Sequence, residues 1–161
     1  MIVRMPSRQQ RVALVTGSSR GLGSAIARRL AQDGLAVAVN GVRDEAQALA
    51  VVDAIEGAGG VAAAFPADVT DERQSIELVA AVTERLGPVD VLVVNATGPQ
   101  PEAPLMEVPW DDHVAQLEFF VKSPVLLGRV ALPGMQARRW GASSRSTPRS
   151  WTDLRRADLP R

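Results

Sequence analysis

The stretch Thr16-Gly17-Ser18-Ser19-Arg20-Gly21-Leu22-Gly23 has the residue types and spacing to hold an anion. Glycines at 17, 21 and 23 permit positive φ and leave no Cβ between the peptide N–H groups and a bound group. The stretch follows the apolar run Val12–Val15 and leads into a helix that reads as Ser24 to about Gln32. A helix N-terminus aims unpaired N–H groups and the positive end of its dipole at one point, which suits a pyrophosphate. The spacing is Gly-x-x-x-Gly-x-Gly, not the Gly-x-Gly-x-x-Gly of the common dinucleotide fingerprint. Taken alone, the glycines also fit a plain strand–turn–helix.

Other chemistry is sparse. The chain has no cysteine, which excludes disulfides, thiolate metal sites and a Cys nucleophile. His113, the single histidine, has no acid or nucleophile at a recognisable spacing and reads as a surface helix residue. The serines at 143, 144, 146 and 150 lack a base. No metal site is indicated. Lys+Arg 18 against Asp+Glu 18 give a formal charge of +0, so neither a nucleic acid nor an anionic membrane is expected as a partner. No apolar run reaches membrane-spanning length, and Met1–Pro6 is too short for a signal peptide. A cytoplasmic protein is the expectation, and 161 residues suggest one domain.

The elements that must position the glycine stretch follow a repeating pattern. Residues 1–11 are a polar lead without periodicity, expected as a loose arm. Val12–Val15 suits a parallel strand covered on both faces. Leu22, Ala25, Ile26 and Leu30 give the next helix an apolar stripe, ended by Gly34. Leu35–Val39 is a second strand, closed by Asn40-Gly41. Asp44 can cap a helix bearing Leu49, Val52 and Ile55, stopped by Gly57, Gly59 and Gly60. Val61–Phe65 is a third strand. Thr70 or Asp71 caps a helix with Ile76, Val79, Ala80 and Leu86 on one face, Gly87-Pro88 ends it, and Val89–Val94 is a fourth strand. Such a β-α succession predicts an α/β fold with a parallel sheet and right-handed crossovers. A loop with Pro99, Pro101, Pro104 and Pro109 precedes an apolar helix from Trp110 to about Arg139, which Pro124 should kink or split.

Thr16 to Gly23 resembles the Thr-Gly-x-x-x-Gly-x-Gly signature of the classical short-chain dehydrogenases/reductases. The resemblance continues through Asp68-Val69 and Asn95-Ala96 to about Gly141, and is similar to 3-oxoacyl-[acyl-carrier-protein] reductases. It implies a Rossmann-like, doubly wound sheet of strand order 3-2-1-4, truncated before strand five, with a partial NAD(P)-binding domain over 12–141. The ligand crevice would lie at the carboxyl ends of strands one and four. It implies cofactor contacts from Gly17, Ser19, Arg20, Gly21, Leu22 and Gly23 in the turn. Further contacts are implied from Asn40 and Arg43 after strand two, Asp68 and Val69 after strand three, and Asn95, Ala96 and Gly98 after strand four.

Arg20 and Arg43 stand where NADP-dependent members contact the 2′-phosphate, and Asn40 stands where NAD-preferring members carry an acid that would repel one. NADP(H) is therefore favoured over NAD(H), with solvated surface arginines as the other reading. Asp68-Val69 resembles the adenine clamp of the family, although on local sequence Asp68 is equally a turn-forming acid. Val94-Asn95-Ala96-Thr97-Gly98 departs from the family's Asn-Asn-Ala-Gly at Val94 and Thr97, with Gly98 one place late. Phe120 replaces the helix Asn that holds a proton-relay water. That role does not carry over, and Phe119 and Phe120 read as core or interface packing.

The family transfers hydride between nicotinamide and a carbonyl or alcohol carbon, with a Tyr and its neighbouring Lys managing the proton and a Ser holding the substrate oxygen. The Tyr count here is 0 and Lys122 is the single lysine, so no catalytic residue is assigned. Where a Ser-bearing strand should follow Trp140-Gly141, residues 142–161 are Arg/Ser/Pro-rich and read as a non-homologous, disordered tail. Codons for Gly141 to Pro148 exist that, read one nucleotide earlier after the glycine, spell Arg-Ile-Ile-Gln-Ile-Asp-Ser. A frameshifted reading of a longer gene is the expectation. Strand four would then be an open edge, and the helix from Trp110 a surface for homo-oligomerisation. The expected partners are a nicotinamide dinucleotide and, only in a full-length form, a small carbonyl or alcohol substrate. A non-catalytic dinucleotide-binding module or partner subunit is the alternative, and a non-functional fragment a third possibility.

Overall fold

The computed structural model describes residues 10–42, 45–98 and 103–145. Most of the expected arm, Arg43, Asp44, Pro99, Pro101 and the tail from Ser146 lie outside the described residues. The elements in chain order are β1 (Val12–Val15), α1 (Gly21–Gln32), β2 (Ala36–Gly41), α2 (Glu45–Gly57), β3 (Val61–Pro66), α3 (Glu72–Arg85) and β4 (Val89–Val94). A 3-10 turn (Leu105–Glu107), α4 (Trp110–Leu117), a π turn (Glu118–Lys122), α5 (Ser123–Ala137) and β5 (Ala142–Arg145) follow.

The strands form one parallel sheet of order β3-β2-β1-β4-β5. Alternate residues of each strand face opposite sides, so the apolar runs feed two cores. Leu14, Ala38, Phe65, Leu92 and Val94 meet α3 and α5 through Leu78, Val82 and Leu127. Val15, Val37, Val39 and Val93 meet α1 and α2 through Ala27, Ala31, Val51 and Ile55. Burying a Val or Leu fully stabilises by roughly 1.5–3 kcal/mol, so these two faces carry most of the driving force.

Several helix faces differ from expectation. On α1 the buried face is Gly23, Ala27 and Ala31, with Ile26 and Leu30 of the expected stripe partly buried against it, while Leu22 is 63% exposed and Ala25 is also exposed. The small residues let the helix approach the sheet closely, and fit outweighs side-chain hydrophobicity. On α3 the buried set is Ser75, Leu78, Val79 and Val82, with Ile76 on the exposed side. Asp71 caps α3, its carboxylate accepting the Gln74 N–H at 2.8 Å.

The long helix is split. Pro124 has no N–H to give the carbonyl four residues back, and its ring would press on that carbonyl. The chain passes this point through the wider π turn, where the Ser123 N–H reaches the Glu118 carbonyl. Pro124 then sits in the first turn of α5.

The tail was expected to lack a strand from Ala142 and to leave β4 as an open edge; the structure corrects this. β5 pairs with β4 from Val91↔Ala142 to Val94↔Arg145. Backbone N–H and C=O groups make that ladder, so it needs no apolar alternation in Ala142-Ser143-Ser144. Gly141 makes the return possible by lying against Met135, where a Cβ would come within 2.6 Å of the side chain.

The far end of the sheet is tied by Asp90. It is the extra residue in β4 where the β1–β4 register shifts. Its carboxylate accepts the Val12 N–H at 3.2 Å and meets Arg138 at 3.2 Å, while Arg138 also donates to the Val89 carbonyl at 2.7 Å. The Arg11 guanidinium lies 3.6 Å from the centre of the Trp140 ring. No helix among the described residues is long and apolar enough to cross a membrane.

Leu127 is fully buried against the sheet, whereas Leu117 on α4 is 50% exposed. Leu127→Ala should cost about 2–5 kcal/mol in urea unfolding, and Leu117→Ala no more than about 0.5 kcal/mol.

Candidate active site: a glycine-floored cleft

The backbone between β1 and α1 crosses the top of the sheet with little side-chain bulk of its own, and its neighbours hold it. On the β4 side, the Thr16 hydroxyl accepts the N–H groups of Asn95 at 2.9 Å and Ala96 at 3.1 Å. The Asn95 amide returns two donors, to the Thr16 carbonyl at 3.0 Å and the Gly17 carbonyl at 3.1 Å. On the β2 side, the Ser18 N–H donates to the Asn40 carbonyl at 2.8 Å and the Asn40 N–H to the Ser18 hydroxyl at 3.0 Å. That hydroxyl donates to the Val15 carbonyl at 2.6 Å. Thr16 and Ser18 are fully buried, and buried polar groups need such pairing.

Two glycines here admit no replacement. Gly17 has φ +61°, and a Cβ on it would stand 2.7 Å from the Ala96 Cα. A Cβ on Gly23 would strike the Gly17 carbonyl oxygen and come within 2.8 Å of the Ser18 Cα. The turn and α1 are packed backbone to backbone, so the first helical turn opens on a cleft of about 860 Å3. That volume lies in the range of small-molecule and cofactor sites, ~300–1,000 Å3. No side chain caps the α1 N-terminus and no acid lies in its first turn, which leaves its leading N–H groups for an anion.

Of the residues proposed from sequence, Gly17, Ser19, Arg20, Gly21, Leu22 and Gly23 line the cleft from the turn and α1. Asn40, Asp68, Asn95, Ala96 and Gly98 line it from the ends of the strands. Arg43 lies outside the described residues. The Val69 side chain is buried in the core, 1% exposed, and its carbonyl accepts the Ser75 hydroxyl at 3.1 Å, so the contact that the resemblance implies would come from its backbone N–H. Both readings of Asp68 have a counterpart. The residue reaches the cleft, and its carboxylate closes a turn by accepting the Thr70 N–H at 2.9 Å and hydroxyl at 2.7 Å. Arg20 is the one cation and Asp68 the one acid of the wall among the described residues. Among those residues no group of three His, Cys, Asp or Glu side chains is placed to hold a metal.

The wall also contains residues that sequence reasoning missed. These are Gly41, Val42, Gln47 and Phe119; Thr97, marked in the sequence as a departure from the family motif, lines it as well. Phe119, read as packing, lies over Gly98 so closely that a Cβ there would be 2.6 Å from the ring. Nothing in the local sequence shows this, because the π turn sets the direction of Phe119. Thr16 and Ser18 were visible as signature positions, but their clamping role depends on strands far along the chain.

Thr16→Val keeps the shape and removes the acceptor of two N–H groups, each costing about 1–3 kcal/mol when left unpaired. Urea unfolding should show a loss of at least about 2 kcal/mol, and a loss below about 0.5 kcal/mol would overturn the clamp.

The comparisons with known proteins cover most of the described residues. An uncharacterized oxidoreductase of Methylorubrum extorquens is 49% identical over 92 residues, covering 57% of this chain and 37% of that protein. A metagenomic short-chain oxidoreductase solved in complex with NADP superposes with a TM-score of 0.77 at 34% identity, covering 84% of this chain and 61% of that one. A 3-oxoacyl (acyl-carrier-protein) reductase from Agrobacterium tumefaciens, solved with NADP bound, gives a TM-score of 0.76 at 38% identity, covering 85% and 52%. The chain spans 37% to 51% of the length of the first curated relatives it matches. With residues 11–142 matching the short chain dehydrogenase family model and the glycine-floored cleft at the head of a 3-2-1-4-5 parallel sheet, this protein belongs to the short-chain dehydrogenase/reductase family.

Proposed function

We propose that the cleft binds a nicotinamide dinucleotide, NADP(H) in preference to NAD(H). The observation that carries this reading is the acid-free, uncapped N-terminus of α1, opening on the cleft beside Arg20. Gly17, Gly21 and the N–H groups of the first helical turn would hold the pyrophosphate. Arg20, with Arg43, would pair with a 2′-phosphate, and Asp68 would face the adenine. The ends of β1 and β4, around Asn95, Ala96 and Gly98, would flank the nicotinamide half. NADP in the solved relatives at 34% and 38% identity supports the choice of dinucleotide.

When bound, the dinucleotide supplies hydride transfer to or from a carbonyl or alcohol carbon. That reaction class, similar to 3-oxoacyl reduction, is the proposed activity of the family portion. Proton delivery to the substrate oxygen needs a group the present 161 residues do not offer as Tyr. We therefore read these 161 residues on their own as catalytically incompetent, with a shifted reading frame after Gly141 as the cause; a cytoplasmic location is a separate part of the proposal. Along one face of α4, the π turn and the start of α5, Trp110, Val114, Leu117, Val121 and Val125 are all at least 40% exposed, which supports homo-oligomerisation through this stretch. A non-catalytic dinucleotide-binding module is the second reading, favoured by a cleft that is intact without the catalytic Tyr.

Calorimetric titration should give saturable NADPH binding. Arg20→Ala should weaken it about tenfold while changing NADH by less than about twofold, as expected for loss of one charge-assisted contact. No NADPH binding by folded protein would end the dinucleotide reading. NADPH oxidation with a 3-oxoacyl thioester should be absent, and turnover would refute incompetence. The natural gene, sequenced from the Arg138 codon past Arg161, should reach a Tyr-x-x-x-Lys in the alternative frame; stop codons there would leave the non-catalytic module.

A further inference from the structure

We propose that Asn40 is a positioning residue for the glycine turn and takes no part in choosing between NADP(H) and NAD(H), so that an acid at this position would not convert the site to NAD(H). The selectivity half of this proposal rests on the dinucleotide reading of the cleft. The resemblance had given residue 40 the opposite role, as the place where an acid selects NAD.

The hydrogen bonds of Asn40 decide the matter. Both donors of its side-chain amide are spent on the end of β3, on the Phe65 carbonyl at 3.0 Å and the Ala67 carbonyl at 3.1 Å. Its side-chain oxygen accepts the Gly17 N–H at 3.4 Å. Its backbone forms the reciprocal pair with Ser18 described above. The residue is 1% exposed. It reaches the cleft as a strut beneath the turn and has no N–H left to offer a ribose or a phosphate.

An aspartate at position 40 would turn carboxylate oxygens toward the Phe65 and Ala67 carbonyls. Two good hydrogen bonds would become acceptor–acceptor contacts, and a charge would be buried without a partner. The strain would pass directly to Gly17 and Ser18, where Asn40 holds the turn. Both dinucleotides share the pyrophosphate that this turn would cradle, so both should be lost together. Preference should stay with groups on the open rim, Arg20 among them.

The test measures dissociation constants of NADPH and NADH for the folded fraction of wild type, Asn40→Asp, Asn40→Ser and Ser18→Ala, together with amide hydrogen exchange. Both Asn40 variants should weaken the two dinucleotides by a common factor of about tenfold or more, with the NADPH:NADH ratio held within about twofold. Exchange at Gly17 and Ser18 should accelerate while Leu92–Val94 stay protected, a local effect that general destabilisation would not produce. Ser18→Ala removes only the hydroxyl link and should show the same pattern more weakly, so the question stays decidable if Asn40→Asp does not fold. A shift of the ratio toward NADH by about tenfold in Asn40→Asp would overturn the proposal, as would unchanged exchange at Gly17 and Ser18 in all variants. If wild type binds neither dinucleotide, the dinucleotide reading fails and the selectivity half falls with it. The exchange data then decide the positioning role separately.

Discussion

The cleft depends on one constraint: a backbone turn that carries no bulk of its own must nevertheless be held rigid. Glycines that let α1 lie against the turn also remove the side chains that would otherwise fix it. The fixing comes from below. Thr16 and Ser18 are buried hydroxyls, each joined to an asparagine at the end of a different strand, Asn95 just past β4 and Asn40 on β2. In a region shielded from water these bonds are worth keeping, because each broken one leaves an unsatisfied polar group. The turn is thus stiff without being filled, and the N–H groups of α1 keep their aim.

This arrangement requires β1 to lie between β2 and β4, which the order of the sheet provides. The two cores keep it there by packing a pair of helices on each face. At the opposite end of the sheet, Asp90 does for β1 and β4 what the asparagines do at the cleft. It ties the start of β1 to Arg138 where α5 ends. The chain then turns at Gly141 to lay β5 along β4. One end of the sheet is knotted for stability, and the other is left concave.

The chemistry of the cleft is asymmetric. Arg20 and Asp68 lie toward the ends of β2 and β3, while Asn95, Ala96, Thr97 and Phe119 form a less charged wall beside β4. Phe119 is placed there by the π turn that accommodates Pro124. A backbone defect in a helix thereby shapes the wall of the cleft.

The order of strands and helices, the glycine turn and most of its lining were legible in the chain itself, because local periodicity, turn residues and a signature of fixed spacing encode them. Strand limits at Val12–Val15 and Val89–Val94 needed no correction. The absence of Tyr was equally plain, and only composition was needed to see it. The buried face of α1 was legible only in part: Ile26 and Leu30 of the expected stripe pack against the core, but its centre is Gly23, Ala27 and Ala31, which win by closeness of fit rather than by hydrophobicity. β5 was not legible, because its ladder belongs to the backbone and not to its side chains. Phe119 turned out to face the cleft, because elements distant in sequence set its direction. Asn40 shows the same division: its identity stood in the sequence, but its amide is committed by carbonyls of Phe65 and Ala67 that only the folded sheet brings to it.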